Sequence, residues 1–274
     1  NWGAPAMGLE GAAIATILTT ISILVAYAVA IRLDARLHRY HVFGFVWRPD
    51  WARLSEIMRI GTPIALTILA EAGIFATAPF LLGLLGPDQL AAHAIALQII
   101  ATMFQVPFGV SQAATIRVGY FFGARDHEGI RRAGAVSIAM GGGFMMLTAL
   151  LLLFAPEYLV AIYIDPWNPE EPGVVAWALS FLAVGAAFQL FDGLQVVAAG
   201  ALRGLKDTRV PMWIAIFSYW VPGMGVAVLL GFYTPLEGLG VWIGLATGLV
   251  CAAALLTWRW HRREALGLTA LGVK

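Results

Sequence analysis

Uncharged apolar runs long enough for membrane helices alternate along the chain with short charged connections. About 20 apolar residues in a helix cross a bilayer core of about 30 Å. Residues 11–31 carry no charge, and neither do 60–87 apart from Glu71, 89–116, 133–156, 172–202 apart from Asp192, 210–236 and 238–258. These runs predict seven transmembrane helices. None alternates polar and apolar positions over about ten residues, as outer-membrane strands do. The pattern therefore predicts an all-α membrane protein.

The basic residues fix an orientation for these spans. After the first span come Arg32, Arg36, Arg39, Arg48, Arg53 and Arg59; after the third, Arg117, Arg125, Arg131 and Arg132; after the fifth, Arg203, Lys206 and Arg209; after the seventh, Arg259, Arg262, Arg263 and Lys274. The other connections carry only acids: Asp88, then Glu157, Asp165, Glu170 and Glu171, then Glu237. The positive-inside rule places the N-terminus outside and the C-terminus in the cytoplasm.

Composition narrows the class further. Charged residues make up 12% of the 274 positions, against about 25% in soluble domains. A net charge of +1 supplies no basic field for a nucleic-acid partner. Cys251 stands alone and the five histidines are scattered, so neither an internal disulfide nor a zinc cluster is expected. The chain opens at Asn1 without a basic n-region, and it reads as the interior of a longer protein rather than as a targeting peptide.

Local signals accompany the spans. Residues 48–59, with Trp47 just before, mix Trp51, Leu54, Ile57 and Met58 with charges at helical spacing; they predict an interfacial amphipathic helix or a polar linker. Trp167, Trp242, Trp258 and Trp260 fall near span ends, where aromatic belts sit. Gly141, Gly142 and Gly143, with Gly223 and Gly225, predict close helix approach. Pro63, Pro79, Pro107 and Pro222 predict kinks or span starts.

Two of sixteen carboxylates fall inside spans, Glu71 and Asp192. A charge at mid-bilayer costs roughly 2.5–3.5 kcal/mol on insertion scales, and no base inside a span is expected to pair with either. Glu71 lies twelve residues after Arg59 and Asp192 eleven before Arg203. At about 1.5 Å per residue, both sit at one depth above the same basic layer. Such acids should resist ionisation and gain by holding a proton, a metal ion or an organic cation, as a cation-coupled transporter requires. A neutral acid hydrogen-bonded to a neighbouring helix is the structural alternative.

Further polar and aromatic positions surround the pair. Thr67 and Phe75 lie one turn to either side of Glu71, and Phe188, Asp192 and Gln195 share a helix face. Gln98, Gln105 and Gln112 recur every seven residues, on one face, as cavity lining or as interhelical glue. His93 reads as a satisfied interfacial histidine. No phosphate-binding glycine loop and no hydrolytic triad is visible, so an enzyme is not expected. A retinal pigment is excluded because Lys206 and Lys274 both lie outside the spans. A seven-span receptor, channel or structural subunit without transport stays open.

The segment AAGALRGLKDTRVPM at 198–212 resembles the multidrug and toxic compound extrusion (MATE) transporters, specifically their NorM-like branch. FDGLQVVAAG at 191–200, AAHAIALQI at 91–99 and VPFGVSQAATIRVGYFFGARD at 106–126 extend the resemblance in the same order. The resemblance implies a twelve-helix antiporter of two six-helix bundles in a bacterial-type plasma membrane. It exports cationic, aromatic compounds in exchange for protons or sodium, with no cofactor. On that map residues 1–31 are the last helix of the first bundle and 32–59 a cytoplasmic linker with an amphipathic helix. Residues 60–258 are the second bundle and 259–274 a basic tail, so about five spans of the first bundle are absent. The family's two acids in that second bundle match Glu71 in LAEAGIF and Asp192 in QLFDGLQ, implying a proton or sodium site there. A tyrosine often precedes the aspartate by one turn. Phe188 stands there instead, which favours protons over sodium, a hard ion that prefers several oxygens.

Overall fold

A computed structural model describes residues 8–34, 50–167 and 171–270 of the chain. Trp47, Arg36, Arg39, Arg48, Glu170, Lys274 and the start at Asn1 lie outside the described residues. No strand occurs among the described residues, and seven helical stretches there are long and apolar enough to cross a membrane. The chain divides into two compact units, residues 1–56 and 57–274.

The first unit contains α1 (Gly8–Leu33). Its polar residues are accommodated within the helix: the hydroxyls of Thr19, Thr20 and Ser22 donate to the carbonyls of Ala15, Thr16 and Leu18, four residues back. That return bond hides a hydroxyl from an apolar environment. The start of α2 (Trp51–Leu85) also falls in this unit. Asp50 caps it, accepting from the backbone N–H groups of Ala52 and Arg53. The expected amphipathic helix is thus, over its described residues, the opening turns of one 35-residue helix that runs on into the second span. Nothing between Arg59 and Ile64 breaks the helix, because Pro63 is accommodated inside it.

The second unit continues with α3 (Pro87–Gly123), α4 (His127–Phe154), the short α5 (Pro156–Val160) and α6 (Pro172–Gly204). The sixth span is α7 (Arg209–Ser218), a π-helical turn at Tyr219–Gly223 and α8 (Met224–Tyr233); α9 (Glu237–His261) is the seventh. Gly86 alone joins α2 to α3, so Asp88 stands in the first turn of α3, where a helix N-terminus favours an acid.

The long α6 is central and packs against α3, α4 and α9. Small residues bring these neighbours close. A Cβ on Gly141 of α4 would lie 2.7 Å from Val197, and one on Gly193 of α6 would lie 2.5 Å from Met145. Between α3 and α6, the Ser111 and Thr115 hydroxyls donate to the carbonyls of Val196 and Gly200, at 2.7 and 2.9 Å. Gly143 and Gly225 differ from expectation, since nothing lies within 4 Å of the corresponding Cβ.

The aromatic core also departs from the sequence reading. Trp242 is fully buried and stacks on Phe181 and Phe188, at ring separations of 5.2 and 5.8 Å. Trp260 is buried against Gly134, with the Arg263 guanidinium 4.6 Å above its ring. Both serve the interior rather than an interfacial belt, whereas Trp167 and Trp258 are exposed. His93 is buried edge-on against Trp242, and neither ring nitrogen has a hydrogen-bond partner among the described residues, unlike the satisfied interfacial histidine expected.

Two turns at the basic end share one construction. After α3 the backbone N–H of Asp126 donates to Phe121, and after α6 that of Asp207 donates to Leu202. In each case the preceding base, Arg125 or Lys206, is left-handed with φ near 60°. This is a Schellman-type ending. The two aspartates then diverge. Asp126 caps α4 through Gly129, while Asp207 forms a two-pronged ion pair with Arg259 at the end of α9, at 2.7 and 3.1 Å.

Candidate functional site

Glu71 enters from α2 and Asp192 from α6, and both lie in the interior of the second unit. Asp192 is 4% exposed, while Glu71 is half-buried. Gln195 joins them: its Nε2 donates to Glu71 Oε1 at 2.9 Å and to Asp192 Oδ1 at 3.4 Å. The helical spacing of Asp192 and Gln195 on α6 makes this possible, since side chains three apart are neighbours. Two carboxyl groups from separate helices thus converge on one amide.

The pair lies on the wall of a cavity of about 330 Å³ between α2, α3 and α6. Phe75, Leu97, Ile100, Phe104 and Phe108 provide most of the remaining wall. Aromatic faces beside carboxyl groups suit a cation, because the ring face carries negative charge. On its other side Glu71 lines a second, narrow cavity of about 30 Å³ with Thr67, Gln195, Arg203 and Thr208.

Arg203 changes the expected electrostatics. The sequence reading assigned no base to the two acids, yet Arg203 extends from the end of α6 into the cavity that Glu71 lines. Its Nη2 donates to Ser111 Oγ at 3.2 Å, and its Nε lies 3.5 Å from the Ala199 carbonyl. A long arginine stem can carry its charge well away from its own Cα, which a cut of the sequence at charged positions does not register.

Tyr219, which the sequence did not single out, is 1% exposed in the same apolar core as Phe188 and Trp242 and lines neither cavity. The π-helical turn that carries it contains Pro222, which lacks the N–H that would bond the Ser218 carbonyl. Such turns recur at functional sites. Pro222 was the available signal, but a proline predicts a local break and not which side chain the break turns inward.

The other nominated residues separate. Thr67 and Phe75 line the cavities beside Glu71; the Thr67 hydroxyl donates to the Pro63 carbonyl at 2.9 Å. Phe188 does not line either cavity; it is 1% exposed in the apolar core against Trp242. Gln98, Gln105 and Gln112 are all exposed and line neither cavity. The Gln105 amide lies 3.4 Å from the Ala101 carbonyl of its own helix. Among the described residues no group of three His, Cys, Asp or Glu side chains clusters as a metal site. Side-chain oxygens near the pair are those of Glu71, Asp192 and the Gln195 amide, with the Thr67 and Thr208 hydroxyls in the narrow cavity that Glu71 lines.

Known proteins place this arrangement in context. The MatE family profile matches residues 63–229. A probable multidrug resistance protein NorM from Mesorhizobium japonicum is 46% identical over 96% of this chain and 56% of its own length. The corresponding NorM proteins of Brucella suis and Burkholderia vietnamiensis are 43% and 40% identical, over 97% and 95% of this chain and 56% of their own. The chain spans about half the length of the curated relatives it matches. Among solved structures, the eukaryotic MATE transporter AtDTX14 superposes with a TM-score of 0.82 at 20% identity, over 96% of this chain and 59% of that one. A multidrug resistance MATE family transporter in its outward-facing conformation gives 0.79 at 23% identity, over 95% and 57%. At those identities the likeness speaks for the fold.

Proposed function

Because this chain belongs to the MatE family of integral membrane transporters, we propose that it forms the second-bundle half of a cation-coupled antiporter that exports cationic or aromatic drugs and toxic compounds. The single observation that carries this reading is the Gln195 amide held between Glu71 and Asp192. Two interior acids on different helices, with an aromatic-walled cavity beside them, form a site that a proton or sodium ion can enter. Binding removes negative charge between α2 and α6. Since interaction between those charges is strong in a low-dielectric interior, the two helices pack differently when loaded and empty. Rigid-body rocking of one bundle against the other converts that difference into alternating access, with residues 60–258 moving as the second bundle and 1–31 belonging to the first.

The coupling ion we propose is the proton. Phe188 brings no oxygen to the pair, and sodium favours several hard oxygen donors. A seven-span receptor has no comparable need of two converging interior acids; a channel or structural subunit without transport is the alternative reading.

The test is efflux of a fluorescent cationic dye from vesicles bearing the complete transporter, driven by a pH or a sodium gradient. Glu71→Gln and Asp192→Asn should each abolish gradient-driven efflux while leaving the protein in the membrane. Full efflux in both variants overturns the assignment. Activity under a sodium gradient alone overturns the proton.

A further inference from the structure

At the basic end of the second unit, α3 and α4 enclose a groove of about 500 Å³ that lies apart from Glu71 and Asp192. Its residues follow helical spacing on both sides. On α3, Ala113 and Arg117 are one turn apart; on α4, Arg132, Val136 and Met140 succeed one another turn by turn. Residues four apart share a helix face, so each helix presents a charged head with an apolar strip leading toward the bundle's middle. Val136 and Met140 are 52% and 60% exposed, so the strip opens outward.

The charges at the mouth are unevenly engaged. Asp126 is occupied as the cap of α4, accepting from Gly129 at 2.8 Å. Glu128 is held by Arg131 in two hydrogen bonds of 2.7 and 2.8 Å, and Arg132 reaches it only at 3.6 Å. Arg117 lies over the Phe121 ring, 5.3 Å from its centre, and makes no ion pair among the described residues. That contact engages the positive charge of the guanidinium without an oxygen acceptor for its N–H donors. Both acids are therefore engaged, while two arginines keep donors to offer.

We propose that this groove binds an anionic phospholipid, its phosphate between Arg117 and Arg132 and an acyl chain along Ala113, Val136 and Met140. Planar guanidinium groups match phosphate oxygens in pairs, and basic pockets between membrane helices suit anionic headgroups. The apolar strip selects a lipid over a soluble anion, because inorganic phosphate gains nothing from it. A zwitterionic lipid brings its own cation toward two arginines and is disfavoured.

Native mass spectrometry of the 274-residue chain, released from micelles containing equal phosphatidylglycerol and phosphatidylcholine, tests this. Phosphatidylglycerol should be retained in preference, and Arg117→Gln and Arg132→Gln should each lower the retention ratio roughly five-fold. Arg125→Gln, in the turn outside the groove, should leave it unchanged, and Glu128→Gln, which removes a negative charge from the groove's mouth, should raise it. Val136→Glu keeps both arginines but places a charge on the acyl strip, and should also abolish the preference. Equal retention of both lipids by the unaltered chain overturns the proposal. So does a preference that survives the double arginine substitution, or displacement of the lipid by millimolar inorganic phosphate.

Discussion

A single amide nitrogen, Nε2 of Gln195, reaches carboxyl groups on two different helices, and this makes it the side chain whose loss is most informative. In Gln195→Leu the volume is nearly kept but both carboxyl groups lose their donor. An unsatisfied buried polar group costs about 1–3 kcal/mol. Denaturation of the chain in micelles should therefore show a stability loss of that size. In the complete transporter the same variant should retain substrate export at saturating ion gradient but need a steeper gradient for half-maximal rate. Wild-type stability together with wild-type gradient dependence would mean that the amide does not support the pair. Arg203 reaches the cavity that Glu71 lines from the end of α6 and did not stand out in the sequence. It sits among connection residues, and where its long stem carries the charge is fixed only by folding.

At the scale of helices, hydropathy was a good guide because the bilayer makes it so. A backbone in lipid must satisfy its own hydrogen bonds, so uninterrupted apolar length translates directly into a helix. The seven spans and the short connections were legible on that basis, and a residue count set Glu71 and Asp192 at one depth; that Gln195 joins them emerges only from the fold. What hydropathy could not convey is where one helix ends. Residues 48–59 read as an amphipathic element or a polar linker, yet from Trp51 onward they are continuous with the apolar part of α2, and Pro63 within that helix removes only the bond to the Arg59 carbonyl. It was equally silent about which aromatics are interior, since Trp242 and Trp260 look like belt residues until Phe181, Phe188 and Gly134 are seen against them. The glycine run in α4 shows the same division. A methyl group on Gly141 meets Val197 at 2.7 Å, whereas one on Gly143 meets nothing within 4 Å. Valine in a helix has little rotamer freedom with which to yield. Gly141→Ala should thus destabilise the unit by about 1–3 kcal/mol, the usual cost of overpacking. Gly143→Ala should be neutral or stabilising by up to about 1 kcal/mol, from relief of glycine's backbone entropy. Parallel denaturation of the two variants decides the matter, and equal effects would remove close α4–α6 packing as the reason for the run.

For the molecule as a whole, the outward face of α3 carries the strongest constraint. Gln98, Gln105 and Gln112 are exposed, and Thr102, also exposed, shares their stretch of helix, its hydroxyl donating to the Gln98 carbonyl. Amide side chains at this depth would be costly against hydrocarbon, because an unpaired amide forfeits its hydrogen bonds. Leu147 and Leu151 of α4, 67% and 44% exposed, have the composition expected of a lipid-facing surface. The contrast is what the proposed second bundle would show if its α3 bordered a water-filled cleft rather than lipid. Thiol labelling separates the two environments: Cys251 is the one cysteine of this chain, and Cys251→Ala, with any cysteine in the remainder of the transporter also replaced, gives a clean background. In the complete transporter, cysteines introduced at Gln98 and Gln105 should react with a membrane-impermeant maleimide, and saturating substrate should slow that reaction. Cysteines at Leu147 and Leu151 should stay unreactive under the same conditions. Labelling that is equal on α3 and α4 would place the glutamines against lipid and leave the proposed cleft without its α3 wall.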